Sequence, residues 1–248
     1  MAVLLTRPSP DNEASSEGLR ARGFAVLLAP MLRFEAAPFT EDPDADYQAV
    51  IVTSANALRA VALALAESRL RKLPLFAVGE HTASVAREVG FAKVTTAEGD
   101  GAALRDRVLE SLRAKELKKK RPLLYLAGAD ISRDLASELG EHGLEVVTQI
   151  TYRMAAVTSL PRAVCDAFAR DAVEAVLHYS RRSAAAFLEA VRNAGIEVSA
   201  LSVPQCCISA NVAAVLHEAG AAQVKVAASP DEKALFEALE RALPSRLA

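Results

Sequence analysis

One passage that is written twice constrains the fold of this chain more than any other feature. Tyr47–Leu65 reads YQAVIVTSANALRAVALAL: an apolar run at Ala49–Val52, a break of small polar residues (Thr53, Ser54, Ala55, Asn56), then an Ala/Leu-rich helix over 57–65. The run has the length of one buried strand, and serine, threonine and asparagine are residues that cap helices. Residues 175–184 (AVLHYSRRSA) repeat the run, the break and the helix start, with Ser180 standing 126 positions after Ser54. Leu139, Gly143, Val146 and Arg153 follow Leu19, Gly23, Val26 and Arg33 at a constant 120; Pro204, Gly220 and Val224 follow Pro74, Gly90 and Val94 at 130. Glycines, prolines and strands returning in one order indicate an internal duplication.

Each copy alternates strands of continuous apolar text with helices, which predicts α/β architecture with mostly parallel sheets covered on both faces. A strand is expected at 3–6, followed by a helix capped by Asp11 and stopped by Gly23. A later strand ends in Gly79, and Thr82 is expected to begin the helix that stops at Gly90. Parallel sheets bind ligands in the loops beyond their strand carboxyl ends. The small or polar residues Thr6, Arg7, Thr53, Ser54, Gly79, Gly128, Ser180 and Ser209 fall there. A strand feeding a capped helix also aims unpaired amides at that region, an anion site built without a charged side chain. The duplication by itself is compatible with two sequential domains or with an exchange of units between them.

Composition narrows the function. A net charge of −2 and a pI near 6.1 argue against nucleic-acid binding. No apolar run reaches the length of a membrane span. The opening MAVLLTR enters a strand directly, and the three cysteines (Cys165, Cys206, Cys207) are read as reduced thiols, so a cytoplasmic protein is expected. The four histidines lack zinc spacing, and neither a phosphate-binding glycine fingerprint nor a nucleophile elbow is present. His178 reads as a strand histidine, and Lys115–Arg121 as a solvated connector.

The segments VLLTRP, AVIVTSANALRA, FAVGEHTASVAREVGF and CCISANVAAVLHEAG, in this order, resemble the uroporphyrinogen-III synthase family over nearly the whole chain. The resemblance implies two similar doubly wound, flavodoxin-like parallel-sheet domains joined by a two-stranded connector. The first domain would be discontinuous (1–35 and 155–248), with the second at 36–154. It implies a cofactor-free, cyclising hydro-lyase that closes hydroxymethylbilane to uroporphyrinogen III in the interdomain cleft, losing water and inverting ring D. No metal, nucleic acid or membrane partner is implied, and a monomer is expected.

Residue by residue, the resemblance makes Tyr152 the candidate proton donor. Carboxylate contacts would come from Arg7, Thr53, Ser54, Asn56, Gly79, Thr82, Gly128, Ser180, Ser183 and Ser209. The chain departs from the family pattern at His178-Tyr179-Ser180, where Phe-Thr-Ser is more usual, and at Val212, which replaces a threonine. The competing reading is a two-lobed binding or regulatory protein that closes on an anionic small molecule without transforming it.

Overall fold

The computed structural model describes residues 1–131 and 133–243. In chain order they form β1 (Ala2–Leu5), α1 (Asp11–Ala21), β2 (Val26–Leu28), β3 (Leu32–Ala36), β4 (Ala49–Val52), α2 (Ala55–Leu65), β5 (Leu75–Val78), α3 (Gly79–Val89), β6 (Val94–Ala97) and α4 (Gly101–Arg113). The rest are β7 (Leu123–Gly128), α5 (Leu135–Gly140), β8 (Val146–Ala156), α6 (Arg162–Ala169), β9 (Val173–His178), α7 (Arg181–Asn193), α8 (Glu197–Ser202), β10 (Gln205–Cys207), α9 (Ala210–Glu218), β11 (Val224–Val226) and α10 (Glu232–Ala242). The chain divides into two compact units. Unit 1 is Met1–Phe34 with the described part of Ala155–Ala248, and unit 2 is Glu35–Met154. The backbone passes between them twice, inside β3 and inside β8.

Unit 1 holds a five-stranded sheet ordered β11-β10-β9-β1-β2; the six-stranded sheet runs β3-β8-β7-β4-β5-β6. Neighbours from β2 to β11 and from β8 to β6 pair in parallel. Aligning the strands by the duplication equates β1, β2, β9, β10, β11 with β7, β8, β4, β5, β6. Both sheets then have the order 2-1-3-4-5, that of flavodoxin-like folds, and the winding direction reverses between the first and third strands. Ligand crevices are therefore expected where β1 meets β9 in unit 1 and where β7 meets β4 in unit 2.

The strands are apolar throughout because helices cover both faces. In β4, Val50 and Val52 pack with Leu58, Val61 and Ala86 of α2 and α3, while Ala49 and Ile51 face Leu104, Val108 and Leu139 of α4 and α5. In unit 1, Val3 and Leu5 pack with Leu19, Leu235 and Leu239; Leu4 and Val176 pack with Phe187 and Val191. Burying a side chain of this size contributes about 1.5–3 kcal/mol.

Two helix starts differ from expectation. Asp11 is the first residue of α1 and makes no cap; Pro10 precedes it, and the Asp11 carboxylate lies 3.6 Å from the Arg7 guanidinium. The third helix begins at Gly79, whose φ of +69° turns the chain out of β5 within one residue. Thr82 therefore lies in its first turn with a buried side chain. Gly23 and Gly90 end their helices in the left-handed region, as read from the sequence.

Among the described residues, no helix is long and apolar enough to cross a membrane. All three cysteines are free; Cys206 and Cys207 are buried and burial pushes both thiols up to about 12, whereas Cys165 is half-buried. Since the thiolate is the reactive form, N-ethylmaleimide is expected to label one thiol per native molecule and three after denaturation. Intact-mass spectrometry checks this, and native labelling at Cys206 or Cys207 would contradict it.

Candidate active site

The crevice of unit 2 lies beyond the carboxyl ends of β4 and β7, where the sequence text is richest. Val52 is the last strand residue; Thr53 follows, and Ser54 takes extended backbone and caps α2, its Oγ accepting from Asn56 N at 3.2 Å. On β7 the strand ends in Gly128. Its partner β8 contains an irregularity: Ala127 pairs with Ile150, but Gly128 pairs with Tyr152. Thr151 is the extra residue, buried, with Oγ1 bonded to the Ala127 carbonyl at 3.2 Å. Such a bulge re-aims the next side chain.

That side chain is Tyr152. A Cβ at residue 128 would lie 2.7 Å from its Cζ and 2.9 Å from its Oη, so only glycine leaves room for the ring. The Ala129 amide, bonded to the Tyr152 carbonyl at 2.8 Å, fixes the backbone beneath it. Tyr152 and Gly128 border a cavity of about 240 Å³ with Thr53, Ser54, Tyr125 and Arg133. Tyr125 Oη and Thr53 Oγ1 are 3.0 Å apart. Burial raises the Tyr125 pKa, so its phenol keeps its proton and can donate to Thr53. Arg133, its Nε 2.8 Å from a Glu138 oxygen, brings positive charge to the wall; Asp130 is the acidic residue of the lining.

The expected site residues fall into three sets. Thr53, Ser54, Gly128 and Tyr152 meet at this cavity. Asn56, Gly79 and Thr82 stand outside its lining; the Asn56 side chain accepts from Arg59 at 3.1 Å. Arg7, Ser180, Ser183 and Ser209 belong to unit 1. There Ser180 caps α7 by accepting from Ser183 N at 3.1 Å, and the fully buried Ser183 hydroxyl returns a bond to the Ser180 carbonyl at 3.0 Å. Ser209 precedes α9 without a side-chain cap bond.

Sequence reading missed Tyr125 and Arg133. The signal available for Tyr125 was a lone phenol in the aliphatic strand LLYLAG, three residues before the strand end, since a buried tyrosine hydroxyl needs a partner. A larger groove of about 620 Å³ lies in unit 1 between segments 30–34 and 157–161. Its walls are mostly apolar, so the smaller, more polar cavity suits an anion better. Among the described residues, no group of three or more histidine, cysteine or acidic side chains could hold a metal ion.

Comparison with known proteins leads to the same family that the sequence resembles. The chain is similar in structure to the uroporphyrinogen-III synthetase of Helicobacter pylori, with a TM-score of 0.61 at 21% identity over 100% of this chain and 99% of that one. It is also similar to a mutant uroporphyrinogen III synthase of the extremely thermophilic bacterium Thermus thermophilus, with a TM-score of 0.53 at 18% identity over 99% and 100% of the two chains. At such identities these likenesses establish the fold. No curated protein is significantly similar in sequence. The model of the family described as Uroporphyrinogen-III synthase HemD, however, matches residues 13–237, most of the 248-residue chain. The chain belongs to the uroporphyrinogen-III synthase family.

Proposed function

We propose that the chain carries out its family's reaction, the cyclisation of hydroxymethylbilane to uroporphyrinogen III, with Tyr152 as proton donor to the departing hydroxyl. The observation that carries this reading is the Tyr152 ring seated on Gly128 at the mouth of a polar crevice. In the reaction the C–O bond of the hydroxymethyl group breaks and the oxygen leaves as water with a proton from the donor. Closure with ring D inverted then breaks that ring's existing bridge bond and forms two carbon–carbon bonds. The ring D carbon that gains the last of them gives up its proton, which restores the donor. An electron-rich pyrrole expels its own hydroxyl readily, so the protein's main tasks are to fold the chain, steer closure and supply that proton.

The cavity volume of about 240 Å³ is below that of sites that enclose drug-sized ligands. It suits one ring with its arms, the rest of the tetrapyrrole lying outside. We assign Thr53, Ser54 and Arg133 to the carboxylates of that ring, with the Tyr125 phenol donating to Thr53 and leaving the threonine proton for the ligand. Arg7, Ser180 and Ser209 we assign to arms that reach unit 1. We further propose two functional domains, 1–35 with 155–248 and 36–154, and a monomeric enzyme of the cytoplasm.

The test is a coupled assay in which hydroxymethylbilane is generated in situ and the oxidised uroporphyrin isomers are separated. Because this substrate closes by itself to the I isomer, the blank is built in. Predominant III isomer with no added metal or nucleotide is expected. Isomer I alone, from folded protein, would favour a binding protein instead.

A further inference from the structure

The crevice of unit 1 has the same topological position as the cavity of unit 2, yet a carboxylate of the chain itself occupies it. Asp100 caps α4 and Asp231 caps α10, each through a side-chain oxygen. The next residue is Gly101 in unit 2, on the cavity wall, and Glu232 in unit 1. By the offsets of the duplication, Thr53 answers to Tyr179 and Leu135 to Ser15, and both Thr53 and Leu135 line the cavity. Their counterparts Tyr179 and Ser15 both hydrogen-bond one oxygen of Glu232.

That oxygen, Oε1, accepts from Arg7 Nη1 at 2.8 Å, from Tyr179 Oη at 3.0 Å and from Ser15 Oγ. The Arg7 guanidinium also lies over the Tyr179 ring, 4.7 Å from its centroid. Burial raises the Tyr179 pKa first of all, with the Glu232 charge adding to it, so this phenol remains a donor. Three donors converging on a single carboxylate oxygen make a carboxylate receptor. The pair is not sealed: the Arg7 and Glu232 side chains keep 27% and 34% of their exposure. A partly exposed ion pair contributes little net stability, so a second carboxylate can replace the first at small cost.

We propose that Glu232 is an internal competitor: Arg7, Ser15 and Tyr179 form a receptor for one carboxylate arm of the tetrapyrrole, and Glu232 fills it until that arm displaces it. The assignment of the arm rests on the synthase reading, whereas the receptor stands on its own geometry. Glu232 thus sets affinity, and contact between Arg7 and a substrate carboxylate becomes conditional on its release.

The experiment titrates uroporphyrin III, a soluble polycarboxylate that carries the product's arms in the same order on an oxidised, planar ring, into folded wild type, Glu232→Gln and Arg7→Met/Glu232→Gln. Glu232→Gln is expected to bind roughly two- to fivefold tighter than wild type, the size of a released partly exposed ion pair. The double variant is expected to lose that gain. Unchanged or weaker binding by Glu232→Gln makes Glu232 a strut and overturns the proposal. If that variant does not fold, Glu232→Asp, which withdraws the carboxylate by one methylene, takes its place with the same expected direction. If neither folds, Glu232 is structural and the proposal fails. The synthase reading is scored separately by the wild-type isomer assay. Wild type making only isomer I while Glu232→Gln gains affinity would retain the receptor and discard the reaction.

Discussion

Tyr152→Phe is expected to lower the rate of uroporphyrinogen III formation by about tenfold or more while leaving product affinity within about twofold. The substitution removes only the hydroxyl. The ring keeps its seat on Gly128, and the bulge at Thr151 that aims it is untouched. A proton delivered to a departing oxygen is an interaction of the transition state, so its loss falls on kcat rather than on binding. The effect should lie at the low end for general acids, because the substrate loses its hydroxyl unaided. Gly128→Ala provides the complementary variant. Its new methyl would stand 2.7 Å from Tyr152 Cζ, so the ring must swing away with its hydroxyl intact. A comparable fall in kcat from a protein that still carries the phenol would show that position, not mere presence, matters. Turnover of Tyr152→Phe within about twofold of wild type would remove Tyr152 from the mechanism, though not the family assignment.

What the sequence makes legible is either local or written twice. Ala49–Val52 has the length and continuous apolar text of one buried strand, and Ser54 reads as a cap because its oxygen reaches an amide two residues away. Gly23 and Gly90 take left-handed backbone that other residues avoid, so a helix stop shows in the text. The equal strand order of the two sheets follows from the constant offsets that the duplication left behind.

What was not legible depends on partners far along the chain. The bulge at Thr151 exists only relative to β7, and without it Tyr152 would point to the other face of the sheet. Glu232 meets Arg7 across 225 residues of sequence, and nothing in either neighbourhood names the other. The misplaced helix start at Thr82 has a different origin. Threonine carries a capping preference, but Gly79's freedom to turn the chain three residues earlier prevails.

A second large effect concerns acid stability and rests on His178, which burial holds to a pKa of about 4. Its side chain is fully buried at the end of β9, edge-on to Phe187 with ring centroids 5.2 Å apart. Gln205 fixes the tautomer. Its Nε2 donates to the Ala200 and Val203 carbonyls at 2.8 and 2.9 Å, so its Oε1 must accept from His178 Nε2–H at 2.9 Å. The remaining ring nitrogen, Nδ1, is buried without a hydrogen-bond partner. Protonation would place a charge and an unsatisfied N–H in an apolar core. In the unfolded chain histidine titrates near 6.5, so between about pH 6.5 and 4 the unfolded state binds a proton that the folded state refuses. The contribution of neutral His178 is therefore complete above about pH 6.5 and is lost as pH falls towards 4, by about 3 kcal/mol in all. His178→Gln keeps an amide donor for Gln205 and does not titrate. Urea unfolding of both proteins from about pH 7.5 to 4 is expected to show wild type losing about 3 kcal/mol more than the variant across that window. The carboxylates common to both cancel in the difference. Parallel curves would mean that His178 is already protonated, or reaches water, in the folded protein, and the buried neutral imidazole would have to be abandoned.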